Sequence, residues 1–571
     1  MKQNFKIFIG KLRMAKNVLR SIMIFMMNEL RRGTLGANIR GISKMELNEE
    51  MSWAELLSEK AARHPERTFL VYGDQKLSYR QMYNNTCRIG NYLKHLGARG
   101  GEGVAIFMDN SPRFLDTFFG LQTIGMYGVP VNTSLQGDGM AYIINHCDAR
   151  FLVIDAKHLD KLARIAKDLT GIEMIIVNDE EGKGSSVPEA YANLEEAYTL
   201  SHKNPGTGYE KEDICFITYT SGTTGLPKGV VYRYKKSGVK LFGLISHLLW
   251  RKSDVMYTCM PLFHANALLV TCTSALHVGA RVVLEKKFSA SRFWESIRKY
   301  GVTTFNTIGA MIPIMMKQPE SDLDKQNRVR FIISAACPPQ VWEVFEKRFG
   351  LTIYETYGAV DGGGKTILNL GTAPVGSIGK PPMKIKYRLV DETMHDVGIE
   401  EPGELIFPAP KRRDEAGGVE FYKNEKASSE KQSDGWIRTG DVMRCDKKGY
   451  LYFVGRNTES MRIKGENVSA YEVEQVLQKH PSVLEVAVYA VPSELAEDEI
   501  MVRVKAVDGH CVTEEEVISY GRENLAKFAV PRYVKIVECF ETTETHRIKK
   551  KSLEAEGVIA GTWDSREEIF V

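Results

Sequence analysis

Strand-like and helix-like segments alternate through most of the chain, and this limits the fold more than any other feature. "GVAIFM" and "FLVID" read as buried strands, and "SPRFLDTFFGLQTIG" between them reads as a helix. "SWAELLSEKAARHP" ahead of them reads as an amphipathic helix opened by Ser52. The alternation continues through "GARVVLE", "SRFWESIRKYG", "VRFIISA" and "PPQVWEVFEKRFG". Strands joined by helices pair in parallel, because the helix returns the chain to the edge it left. The expected class is therefore α/β, with helices on both faces of parallel sheets.

From about residue 375 the pattern changes to short strands and Gly/Pro turns ("GSIGKPP", "KIKYRLVD", "GELIF", "GYLYFVG"), expected to form a small β-barrel-like lobe. The polar stretch Lys411 to Ser433 reads as an exposed loop. After Arg456 a helix near "SAYEVEQVLQKHP", strands "LEVAVYAVP" and "EIMVRVKAV", and the helix "TEEEVISYGRENL" suggest a separate, smaller α+β unit. A chain of 571 residues is too long for one core. The expected division is a basic arm over 1–45, a large domain over 46–456 and a small C-terminal domain over 457–571.

Charge is concentrated in the arm. Residues 1–45 hold ten Lys/Arg against one acid, Glu29, so the net +4 of the chain leaves the remaining body acidic. That body offers no electrostatic footprint for nucleic acid. Phe5, Phe8, Leu12, Ala15, Leu19, Ile22, Met26 and Leu30 give the arm an apolar stripe at helical spacing. Its longest uncharged run, Ser21 to Asn28, is eight residues, against the roughly 20 that a membrane span requires. Charges interrupt the apolar region and no clear cleavage site follows, which argues against a secretory signal. A basic helix lying on an anionic membrane fits the pattern; so does a helix packed on its own domain, or a frayed tail. Nine cysteines without CxxC spacing argue for a reducing, cytoplasmic setting and against a disulfide framework or a zinc site.

"ITYTSGTTGLPKGVV", Ile217 to Val231, carries the chemistry. Between Thr218 and Gly229 it holds five Ser/Thr hydroxyls, three glycines and Lys228. Glycines let backbone N–H groups turn inward as an anion nest, hydroxyls add donors, and the lysine adds a charge, which suits a phosphate chain. The string is not a Walker loop: counting from Gly222, the second glycine position holds Pro227. An ordinary flexible surface loop is the plainer alternative.

The string resembles the signature of the adenylate-forming enzymes, which include acyl-CoA synthetases, luciferases and peptide-synthetase adenylation domains. "PLFHANA", "SAACPP", "YETYGAVDGG", "DGWIRTGD", "GYLYFVGR" and "IKGENVSAYEVE" follow in that family's order, and the resemblance covers roughly residues 50 to 555. It implies that Thr220, Ser221, Gly222, Thr223, Thr224, Gly225 and Lys228 close over the β- and γ-phosphates of ATP. Ala335 and Ala336 would offer backbone to adenine, and Tyr357, followed by Gly358, would stack on it. Asp441 would accept from the ribose hydroxyls, and Arg456 would lie near ribose and phosphate. Asp361 stands where the family has glutamate and would contact Mg²⁺; Val360 replaces a threonine beside the α-phosphate. His264 would sit near the acyl carboxylate. Lys464 and Gly465 would line the tunnel for the thiol arm of coenzyme A. The family's catalytic lysine falls in "TTETHRIKKKSLE", where Arg547 takes its place and Lys549 is the alternative. An arginine there is not a conservative exchange, since its planar fork differs from an ammonium.

The resemblance thus implies an AMP-forming acyl-CoA ligase using ATP, Mg²⁺, CoA and a carboxylic acid. Its C-terminal domain would rotate about a hinge near Asn457 to Glu459 between the two half-reactions. "KKFSASRFW", "MRIKGENVS" and the arm are similar to the fatty-acid transport protein or very-long-chain acyl-CoA synthetase branch. "GRNTES" and "ETYGAVDGG" also resemble crotonobetaine/carnitine–CoA ligases. Residues 241–250 and 305–316 are candidate acyl-tunnel walls, or plain core helices. Two further readings remain: a weakly catalytic fatty-acid and nucleotide-binding transport protein at the membrane, and an adenylase serving a separate carrier protein.

Overall fold

The computed structural model describes residues 51–571 apart from 180–186, 207, 221–225, 237–238, 309–310, 382–384, 412–416, 457–459, 495–496, 508 and 542–547. Helix Trp53–Arg63 begins where the sequence suggests. The Ser52 side chain accepts from Glu55 N and Glu55 reaches back to Ser52 N, so two of the helix's free N–H groups are satisfied reciprocally. Trp53, Leu56 and Leu57 then fall on one buried face.

Two large sheets follow from the alternation. One has seven strands, in the order 192–193, 174–178, 149–155, 103–107, 127–130, 214–220 and 228–233. All its pairs are parallel except the last, the antiparallel pair Ile214–Thr220 and Lys228–Arg233. The other has eight strands, in the order 366–369, 352–358, 331–335, 304–308, 255–258, 281–284, 68–72 and 75–78, antiparallel only at its two edges. One apolar core runs between them, from Trp53 and Phe118 through Phe216 to Phe305 and Phe331. A five-stranded antiparallel lobe is built on Gly403–Pro408 and Trp436–Cys445. The C-terminal part has its own core, in which Val473, Leu477, Val488, Val502 and Val517 pack together. The architecture is the expected α/β one, with a large N-terminal portion of parallel sheets and a smaller C-terminal domain.

One expectation is corrected. Within Lys411 to Ser433, read as an exposed loop, residues 417–433 are structured: Glu425–Lys431 is a helix, and Val419, Phe421, Ala427 and Ser428 are buried. Asn424 caps that helix through Ala427 N, and Ser428 Oγ accepts from Phe421 N at 2.9 Å. The helix holds only two apolar-facing positions among many charges, too few for a periodic signal.

Glu355 is a structural carboxyl inside strand Thr352–Gly358, 3% exposed. It accepts from Ala336 N and, at 3.3 Å, from Cys337 N, and so pins the turn after strand Phe331–Ala335, where Ala336 has φ +67°. Burial raises the Glu355 carboxyl to about 7, against the lowering effect of those two N–H donors. Below its ordinary value of 4.5 folded and unfolded chains are both protonated; between there and about 7 only the unfolded chain ionises. Stability therefore falls as pH rises through this window and levels off above it. Glu355→Gln is expected to flatten that fall, as read from urea midpoints at pH 5 and pH 8.

Candidate active site

All strands of a parallel run end on the same side, so the residues that follow them gather at one edge. Here the carboxyl ends of both large sheets face one cleft of 1480 Å³. Thr220, Ile308, Ala335 and Gly358, the last residues of four strands, all line it. Lys228, His264, Asp361, Asp441, Lys464 and Gly465 line it as well. Thr220 and Lys228 are register partners across the antiparallel pair, which fixes the two ends of the hydroxyl-rich loop. Ser221, Gly222, Thr223, Thr224 and Gly225 lie outside the described residues, as do Arg547, the expected hinge at 457–459 and the arm at 1–45.

Asp441 falls on the buried phase of strand Trp436–Cys445, whose exposure alternates residue by residue, and is 2% exposed. A buried carboxylate is costly without donors. Tyr357 Oη donates to Asp441 Oδ2 at 2.6 Å, joining two residues 84 positions apart. The strand bulges just before Asp441, at Gly440 with φ +78°, and Glu404 holds the bulge by accepting from Gly440 N at 3.0 Å and from Arg438 Nε at 2.9 Å. Strand Leu451–Arg456 pairs with this strand and sets Arg456 opposite Asp441 in register. Asp361 is ion-paired to Lys431 at 2.5 Å. It lines the cleft together with Lys228, and a phosphate-bound Mg²⁺ would need only one or two such protein carboxylates.

Another wall of the cleft, lined by His264, Ala265 and Asn266, is built on an unusual helix. His264 precedes Asn266–Thr273, a π-helical segment. Such segments are rare and concentrate at functional sites. Asn306, 4% exposed, braces it by donating to Asn266 Oδ1 at 2.8 Å and Thr271 Oγ1 at 3.0 Å. Apolar lining comes from Met260, Phe263, Ile308, Met311 and Ile314. The candidate wall 305–316 thus contributes directly. Among the described residues of 241–250 none lines the cleft, and Leu249 and Trp250 belong to the main core.

The C-terminal domain closes the cleft. His264 Nε2 and Glu466 Oε1 are 2.7 Å apart. Gly465 has φ +87°, where a side chain is strained, and a Cβ built there would lie 1.9 Å from Ile308 Cδ1 and would have to displace that methyl. Gly465 N donates to Glu497 Oε2 at 2.9 Å. Lys464, also at positive φ, has its ammonium pushed below the usual lysine range by burial, with Arg566 and Lys527 adding to the effect. Gln136 Nε2 donates to Leu525 O at 2.6 Å, and Lys479 pairs with Asp138. Lys549 does not line the cleft; it pairs with Glu541 at 3.7 Å and is half exposed.

The sequence reading missed Glu355, Glu404, Lys431 and Glu466 as site residues. Glu355 and Glu466 lie inside the quoted "YETYG" and "KGENVS", so the signal was present but unassigned. Glu404 and Lys431 act through partners 34 and 70 positions away in sequence, which no local pattern marks.

Residues 57–411 match the family described as AMP-binding enzyme, and residues 472–547 match the AMP-binding enzyme C-terminal domain. The chain is 30% identical to a crotonobetaine/carnitine–CoA ligase of Proteus mirabilis, over 88% of this chain and 98% of that protein. It is 31% identical to a medium/long-chain-fatty-acid–CoA ligase of Mycobacterium marinum, over 81% and 89%. Among solved structures, an anthranilate CoA ligase in complex with anthranoyl-AMP superposes with a TM-score of 0.65 at 26% identity, covering 90% of this chain and 98% of that one. With two family matches in chain order and full-length relatives, the chain belongs to the AMP-binding enzymes, among the acyl-CoA synthetases of that superfamily.

Proposed function

We propose that this chain is an ATP-dependent fatty acyl-CoA ligase acting on long or very long chains. The observation that carries the reading is one cleft lined by Lys228 and Asp441 as well as by His264, Gly465 and Glu466. A carboxylate is a poor acylating agent because its leaving group would be oxide. Its attack on the α-phosphorus of ATP breaks the bond to pyrophosphate and gives an acyl-adenylate. Thiol attack on that carbonyl then releases AMP and forms the thioester.

In this reading Asp441 accepts from the ribose diol, with Tyr357 fixing its carboxylate. Lys228 balances charge that develops on the departing phosphates. Mg²⁺, held at Asp361, would supply further charge neutralisation. Gly465 packs against Ile308 at the cleft, where its lack of a side chain would let the thiol arm pass close to the backbone. Glu466 orients His264 at the acyl end, so C-domain docking and acyl-site geometry are linked. Arg547 and Lys549 would come to the cleft through rotation of the C-terminal domain about 457–459.

Long chains are favoured by the apolar lining around Met311 and Ile314, by the likeness of "KKFSASRFW" and "MRIKGENVS" to the very-long-chain branch, and by the basic arm, which suits peripheral contact with a membrane's inner face. Among the described residues no helix is long and apolar enough to cross a membrane. The second reading, a ligase for short or betaine-type acids, is favoured by the relative from Proteus mirabilis.

Mass spectrometry of thioesters formed from a mixture of short to very long acids with ATP, Mg²⁺ and CoA is expected to give long-chain products. Short or betaine-type products alone would select the second reading, and no thioester or acyl-AMP would select a binding protein. Gly465→Leu is expected to slow thioester formation from supplied acyl-AMP by about 100-fold, since an ångström-scale misplacement has that effect. It should leave pyrophosphate release in the first half-reaction within about twofold, because the residue contacts the acyl side only through the docked C-domain. Glu466→Ala should slow the same thiolysis step by about tenfold, the scale of one lost charge-assisted hydrogen bond.

A further inference from the structure

A second ammonium faces the nucleotide side of the cleft. Lys431 ends helix Glu425–Lys431, and its Nζ lies 2.5 Å from Asp361 Oδ2 and donates to Thr439 O at 3.3 Å. Its side chain is 14% exposed and that of Asp361 23%, and both line the cleft together with Lys228. The helix is anchored for this purpose: Ala427 packs with Val230, Phe421 and Ile437, with Val360 at the edge of that cluster. Lys228 Nζ lies 5.6 Å from the centre of the Phe421 ring, a member of the same apolar cluster that anchors the helix carrying Lys431.

Three chemical facts converge here. Val360 has no hydroxyl to offer a phosphate. Arg547 stands where the resemblance expects a lysine. A flexible four-carbon stem lets a lysine head exchange one anionic partner for another a few ångströms away, whereas an arginine fork is bound to its geometry. We propose that Lys431 is a ligand for the nucleotide phosphates, acting beside Lys228, and that Asp361 is the carboxylate that keeps it poised at the cleft. This inference rests on the ligase reading above and adds a residue to its adenylation half.

The test is the affinity for ATP, measured by titration calorimetry on the full chain in EDTA, so that no divalent cation competes for Asp361. Lys431→Met is expected to weaken ATP binding about tenfold or more, the scale of one charge-assisted contact. Lys431→Arg, which keeps the charge, should recover at least part of it. The double variant Lys431→Met with Asp361→Asn separates contact from neutralisation and should remain weak. Recovery of wild-type affinity in the double variant would mean that Lys431 only neutralises Asp361 and would overturn the proposal, as would an unchanged affinity in Lys431→Met. If the wild-type chain binds no ATP in either EDTA or Mg²⁺, the ligase reading itself falls, and this inference with it.

Discussion

The common direction of the strands is the constraint on which the site depends. In a parallel sheet every strand ends on the same edge, and here two such sheets share one core and present those edges to one cleft. Thr220, Ile308, Ala335 and Gly358 need no special device to meet; being last in their strands is enough. What the fold must add is rigidity in the turns beyond them. Buried carboxyls supply it: Glu355 holds the turn at Ala336, and Glu404 holds the strand bulge at Gly440 before Asp441. Both act by accepting backbone N–H groups that turns leave unpaired.

Much of this was legible in the sequence. The strand and helix alternation led to the parallel sheets, and the Gly/Ser/Thr/Lys string at Ile217 to Val231 led to the edge of one of them. Local patterns work there because periodicity and turn chemistry are decided within a few residues. They fail for pairings that depend on which distant segments the fold brings together. Tyr357 with Asp441 and His264 with Glu466 are such pairs, each joining two motifs, and Asp361 with Lys431 joins a motif to a stretch that carried none. The helix Glu425–Lys431 was hidden for another reason: its burial rests on Ala427 and Ser428, small residues whose contribution a hydropathy reading discounts.

The division of labour between the two domains follows from side-chain size at one point. The large domain offers the Ile308 side chain and the small domain answers with a glycine, so the C-terminal backbone at Gly465 packs directly on that side chain. Lys549 meanwhile lies away from the cleft, paired with Glu541. The docked arrangement therefore sets Gly465 and Glu466 at the cleft and leaves Lys549 outside it.

The π-helical turn beside His264 has a consequence for how this scaffold tolerates change in length. An i to i+5 ladder holds one residue more per turn than an α-helix needs. Asn266–Thr273 is thus a place where the chain carries a surplus residue, braced by Asn306. Deleting one residue there would restore α-helical hydrogen bonding at little cost to the ladder, but it would turn His264 by about 100° relative to the helix that follows. The segment is a register stop: it holds His264 at a fixed angle to the sheet, and length variation in it would re-aim that side chain within the cleft.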